Sequence, residues 1–105
     1  MTDTLTELSR TIAARRGGDP KISYVAKLHA GGPPLIARKL GEEAVETIVA
    51  ALTGDAKDLT GEAADLIFHL LVLLDAKGVA FADVTAELQR REGMSGIAEK
   101  ATRKA

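Results

Sequence analysis

Apolar residues recur at helical spacing in five stretches of this chain, separated by glycine, proline and polar clusters. Leu5, Leu8 and Ile12 predict an amphipathic helix from Thr4 to about Arg15, with Thr2 or Asp3 as N-cap and Gly17-Gly18-Asp19-Pro20 ending it. Ile22, Val25 and Leu28 predict a short helix within Lys21 to Ala30, stopped by Gly31-Gly32-Pro33-Pro34. Those prolines suit the first turn of the next helix, where a missing N–H does no harm. From Leu35 to Leu52 the residues Ile36, Leu40, Ala44, Ile48 and Leu52 recur every four, joined by Val45 and Val49, which predicts one broad buried stripe. Thr53-Gly54-Asp55 makes a turn, and Asp58 is available as a cap. Leu59 to Leu74 is then apolar on nearly every side, as expected of a helix in the middle of a bundle. Gly78 stops it. Phe81, Val84 and Leu88 mark a last helix to about Arg91, and the basic tail from Ile97 to Ala105 is expected to be solvated or frayed.

The polar positions carry the chemistry. On a helix, Glu42 and Glu46 are about 40° apart and Glu43 and Glu46 about 60° apart, so the three can share a face. Taken alone, that face with Arg38 and Lys39 is most economically a solvated one with charge pairs. The next helix changes the balance: Glu62, Asp65 and His69 form a strip on an otherwise apolar surface, and burying charge without a partner is costly. One solution pairs the strip with Arg38 or Lys39. The other places a divalent cation between the two acidic strips, since helices joined by a short turn lie antiparallel and converging carboxylates repel without one. His69 is expected to hydrogen-bond from the core or from behind a ligand, and His29 has no assigned role. Arg15 and Arg16, at a helix end beside a flexible loop, suit the helix dipole and phosphate binding equally.

Length and charge bound the rest. The 105 residues make one domain. The lack of cysteine removes disulfides and thiolate metal sites and fits a reducing compartment. Fourteen basic and fifteen acidic residues nearly cancel, and one Tyr and two Phe without Trp offer no stacking platform, so nucleic acid is not an expected partner. No apolar run approaches the roughly 20 residues that cross a bilayer. The expectation is an all-α, cytoplasmic protein without a membrane partner.

Glu42-Glu43-x-x-Glu46, followed after fifteen residues by Glu62-x-x-Asp65, resembles the metal motif of the all-α, MazG-like nucleoside triphosphate pyrophosphohydrolases. The resemblance runs nearly end to end, over Thr11 to Arg16, Ser23 to Leu28, Ile36 to Glu43, Glu62 to Leu66 and Arg90 to Ile97. Ser23-Tyr24-Val25-Ala26-Lys27-Leu28 and the closing Glu99-Lys100-Ala101-Thr102-Arg103 narrow it to the phosphoribosyl-ATP pyrophosphatases of histidine biosynthesis. Phe68-His69 departs from a usual Tyr-His, and Thr102 from a usual Ser. The resemblance implies a compact bundle of four to five helices, homodimeric, which would also cover an all-apolar helix. It implies Mg²⁺, replaceable by Mn²⁺, and hydrolysis of a phosphoribosylated ATP between the α and β phosphates. Glu43, Glu46, Glu62 and Asp65 are then the expected metal ligands, with Glu42 in reserve as a second-metal ligand, water-orienting group or general base. Lys27, Arg38, Lys39, Arg15, Arg16, Ser95, Gly96, Lys100 and Arg103 are the expected substrate contacts, Lys27 and Lys39 foremost, with Lys100 and Arg103 ordering over the phosphates. Two other functions fit the same residues: a pyrophosphohydrolase that clears non-canonical nucleoside triphosphates, and a non-catalytic helical dimerisation module.

Overall fold

The computed structural model describes residues 3–103, which form five α-helices and no strand. They are α1 (Thr4–Arg15), α2 (Tyr24–Thr53), α3 (Ala56–Ala76), α4 (Phe81–Arg91) and α5 (Gly96–Arg103). Asp3 caps α1 by accepting the Thr6 N–H, while Thr2, the alternative cap, lies outside the described residues.

The two helices expected on either side of Gly31-Gly32-Pro33-Pro34 are both present, abutting within α2 across a kink whose backbone is not helical. The kink is at Gly32, whose φ of 81° and ψ of 174° are open to almost no residue but glycine, and Pro33 and Pro34 follow it. Replacing Gly32 with alanine should therefore cost about 1–3 kcal/mol. Thermal denaturation followed by circular dichroism should show a drop of about 4–8 °C per kcal/mol. An unchanged midpoint would mean that the kink is not held in this conformation. α2 also begins later than the apolar spacing predicts. The Asp19 carbonyl accepts the N–H groups of both Ile22 and Ser23, and Ser23 Oγ caps the helix at the Ala26 N–H, which leaves Ile22 outside it and exposed.

α2 and α3 form an antiparallel hairpin that dominates the packing, with α1 laid mainly on α3. Asp55, not Asp58, is the N-cap of α3. Its side chain accepts the Asp58 N–H at 2.9 Å, and Asp58 returns a bond to the Asp55 N–H at 3.2 Å, a reciprocal capping box. Gly78, at φ 70°, follows the end of α3 as expected. Ile12, Val25, Leu28, Ile36, Leu71 and Val72 make the core, between α1, the first half of α2 and the last third of α3. His29 has a structural part in it after all. Its Nε2 meets Asp75 Oδ2 at 2.9 Å, the other Asp75 oxygen pairs with Arg16 at 3.1 Å, and so the end of α1 is tied to α2 and α3.

The second half of α2 departs from expectation. Of the predicted buried stripe only Ile36 is fully covered; Val45, Ile48, Val49 and Leu52 are exposed, Ile48 by 60 % and Leu52 by 80 %. The seam that faces α3 keeps Ala44 of that stripe and adds Glu43, Thr47 and Ala50, all at least half-buried. Small side chains there let the helices approach closely, and the large apolar ones are left on the outside. Ile67 and Leu70 of α3, expected inside a bundle, are also partly exposed.

The tail is helical rather than frayed as far as Arg103; Lys104 and Ala105 lie outside the described residues. Ser95 Oγ accepts the Ala98 N–H, and the Glu99 carboxylate, almost fully buried, pairs with Arg90, Arg91 and Arg103. Hydrogen bonds from Arg90 and then Arg91 hold the Glu87 carboxyl down at about 2, and Arg90 likewise holds Glu99 below the usual carboxylate range.

Candidate active site

The hairpin brings three acids to one place. Glu43 of α2 and Glu62 and Asp65 of α3 each present a carboxylate oxygen, and the three oxygens lie within 4.8 Å of one another. The i,i+3 spacing of Glu62 and Asp65 puts both on the face of α3 that meets Glu43. Thr47 fixes the register: its hydroxyl, one turn beyond Glu43, sits 2.7 Å from the Glu43 carbonyl and 3.1 Å from the Glu62 carbonyl. A single O–H shared between the two backbones clamps the helices at the level of the acids. Nothing in the hydrophobic pattern marked Thr47, because its partner on α3 is fifteen residues away in sequence.

Asp65 is exposed, but the environment of Glu43 and Glu62 is unfavourable for bare negative charge. Glu43 Oε2 and Glu62 Oε2 are both buried with no hydrogen-bond partner, and neither residue, nor Asp65, pairs with a base among the described residues. Burial raises the Glu43 carboxyl above its ordinary range, helped by a hydrogen-bonding contact with Glu46 and by the charges of Glu46 and Asp65. Burial also raises Glu62, followed by the charges of Glu46, Asp65 and Asp58. Three convergent carboxylates with two buried, unpartnered oxygens are the donor set of a hard divalent cation, so the residues fit a Mg²⁺ or Mn²⁺ site.

Glu46 stands beside this group, close enough to raise both Glu43 and Glu62, but exposed and outside the set of three. Glu42 turns to solvent, 3.7 Å from Arg38 and 3.6 Å from Lys39. Lys27 is exposed, and among the described residues no lysine or arginine pairs with the three acids. Ser95 is used as a cap, Arg103 is held by Glu99, and Lys100 is exposed on α5.

His69 hydrogen-bonds from within the core: it is buried, and its Nδ1–H donates to the Asp65 carbonyl at 2.7 Å, so Nε2 is left to receive the Tyr24 hydroxyl proton at 2.9 Å. Tyr24 is a site residue that helical spacing did not single out, although it stands in the Ser-Tyr-x-Ala-Lys-Leu stretch. Its hydroxyl is raised in pKa by burial and then by the charges of Glu43, Asp65 and Glu42, which puts it at the edge of the acid cluster.

Sequence comparison agrees with this geometry. The family model for phosphoribosyl-ATP pyrophosphohydrolase matches residues 5–92, which include the whole acid cluster together with Tyr24, Thr47 and His69. A protein of Rhizorhabdus wittichii named phosphoribosyl-ATP pyrophosphatase is 67% identical over 103 residues, covering 98% of this chain and 97% of its own length. A protein of the same name from Novosphingobium aromaticivorans is 66% identical over 101 residues, 96% of this chain and 94% of that one. The Caulobacter vibrioides protein of that name is 53% identical over 103 residues, 98% of this chain and 95% of that one. With the helical hairpin, the clustered acids and end-to-end similarity in agreement, the chain belongs to the phosphoribosyl-ATP pyrophosphohydrolase family.

Proposed function

We propose that this chain is a Mg²⁺-dependent phosphoribosyl-ATP pyrophosphatase of histidine biosynthesis, acting as a cytoplasmic homodimer. It hydrolyses the bond between the α and β phosphates to give phosphoribosyl-AMP and pyrophosphate. The observation that carries the activity is the convergence of Glu43, Glu62 and Asp65 within 4.8 Å, with two of their oxygens buried and unpartnered. Those three would hold the cation, with Glu46 next to them. When bound, a divalent cation neutralises phosphate oxygens and lowers the pKa of a coordinated water. Glu46, exposed beside the three acids, would take the proton of the attacking water. Tyr24, oriented by His69, borders the same space. Glu42 serves Arg38 and Lys39, whose long, exposed pairs are weak enough for a triphosphate to displace. Lys27, on α2 one turn from Tyr24, adds a further cation. Arg103 would have to leave Glu99 before it could reach a phosphate.

The homodimer rests on exposed surface. A compact monomer of this mass exposes about 5,600 Å², whereas this chain exposes 7357 Å². Its radius of gyration is 15.7 Å, against about 13 Å for a compact chain of this length. Val45, Ile48, Val49 and Leu52 stand exposed on one side of α2 and suit a protein partner; among the described residues no helix is long and apolar enough to cross a membrane.

Pyrophosphate release from phosphoribosyl-ATP, ATP and dUTP, each with Mg²⁺ and with EDTA, tests the activity. Cleavage of phosphoribosyl-ATP well above the others, abolished by EDTA, is expected. Comparable turnover of dUTP would favour clearance of non-canonical triphosphates, and no turnover at all would leave the dimerisation module.

A further inference from the structure

The proposed substrate has two anionic ends, a triphosphate and the phosphate of the added ribose, and the acid cluster serves only one of them. A cavity of about 540 Å³ opens between the end of α1, the α1–α2 loop, the start of α2 and α3. Tyr24 and Phe68 form one wall, their rings nearly parallel at 20° with centroids 6.0 Å apart. Phe68 lies one helical turn beyond Asp65, and Tyr24 is joined through His69 to the Asp65 carbonyl, so the aromatic wall adjoins the acid-bearing stretch of α3.

Arg15 lines the cavity as well. The two adjacent arginines, equivalent in the sequence, are separated by the fold. Arg16 is committed to Asp75 at 3.1 Å, whereas Arg15 makes no ion pair among the described residues. Asp19, the one acid on the cavity lining, has Oδ1 occupied by the Lys21 N–H at 2.9 Å. A Cβ on Gly18 would come within 3.2 Å of the Arg15 carbonyl, so the glycine lets the loop fold tightly against the end of α1. Two aromatic rings and an uncommitted arginine lining one cavity suit a nucleoside that carries a phosphate monoester.

We propose that this cavity receives the phosphoribosyl end of the substrate, with Arg15 binding the ribose phosphate and Tyr24 and Phe68 flanking the nucleoside. The inference rests on the proposed activity and makes Arg15 the residue that tells phosphoribosyl-ATP from an ordinary nucleoside triphosphate. ATP carries no such second phosphate.

Steady-state kinetics of the intact protein and its Arg15→Gln variant with Mg²⁺ test this. The variant should lose about 10- to 100-fold in kcat/KM for phosphoribosyl-ATP, mainly through KM, as expected for one charge-assisted contact. The Ki of ATP as a competitor should not move. An equal loss for both ligands, or none for phosphoribosyl-ATP, overturns the subsite. A wild-type protein that leaves phosphoribosyl-ATP intact refutes the activity instead, and an NMR titration with ribose 5-phosphate then decides the subsite by itself. Shift changes at Arg15, Tyr24 and Phe68 that vanish in Arg15→Gln support it. Changes elsewhere, none at all, or the same changes in both proteins overturn it.

Discussion

Replacing Glu62 with glutamine is expected to remove the metal-dependent activity while raising the melting temperature of the metal-free protein. The first effect follows from the ligand set: a metal supplies several kcal/mol of charge stabilisation to the reaction. Each 1.4 kcal/mol is tenfold, so a loss of about a thousandfold is expected. The second follows from the surroundings. Burial and the charges of Glu46, Asp65 and Asp58 raise the Glu62 carboxyl above its ordinary value of 4.5, so its ionised form is disfavoured in the folded chain. The folded state therefore holds that proton longer than the unfolded state does. Its contribution to stability is fully present below 4.5 and is lost as pH rises through the raised value. Glutamine carries no such penalty, and the Thr47 bond to the Glu62 carbonyl does not depend on the side chain. In EDTA, then, the gap between variant and wild type should widen as pH is raised from about 4.5. Excess Mg²⁺ should stabilise the wild type and leave the variant unmoved. Differential scanning fluorimetry across pH, with and without Mg²⁺, measures both. A variant that melts below the wild type in EDTA would show that Glu62 is held by a protein partner and not by a cation.

The difference between Glu43 and Glu46 shows where the sequence stops being informative. Helix positions follow from spacing and caps, and the antiparallel hairpin follows from a two-residue connection at Gly54-Asp55, so two facing acidic strips were legible. The rotation of α2 about its axis was not. The apolar pattern took Ile48 and Leu52 as its buried edge, but the face that packs on α3 carries Ala44, Thr47 and Ala50, which turns Glu43 inward and leaves Glu42 and Glu46 outside. A reading from periodicity assigns the largest apolar residues to the chain's own core, and here Ile48 and Leu52 lie outside it. The pairing of Arg90 and Arg91 with Glu99 depends on how the turn after α4 sets α5 back against it, and that of His29 with Asp75 depends on long-range packing that periodicity does not carry. Arg15 and Arg16 were indistinguishable for the same reason.

Aspartate at both Ile48 and Leu52 should convert a dimeric wild type into a folded monomer. Val45, Ile48, Val49 and Leu52 stand at i, i+3, i+4 and i+7, one continuous strip of α2, all exposed in the single chain. The chain exposes about 1,700 Å² more than a compact monomer would, while about 800 Å² per partner is enough for a standard stable interface. Burying each of these side chains is worth about 1.5–3 kcal/mol, and two carboxylates in their place would meet their partners in an apolar seam. Weakening of association by more than about a thousandfold is therefore expected. Because neither residue touches the core of its own chain, far-ultraviolet circular dichroism should keep its helical form, which separates dissociation from unfolding. Sedimentation velocity should find the wild type near twice the chain mass of 11.0 kDa and the double variant near 11.0 kDa itself. A wild type that sediments as a monomer would end the homodimer, and a double variant that remains a dimer would move the interface off this face of α2, with Ile67 and Leu70 on α3 the next exposed apolar pair to test.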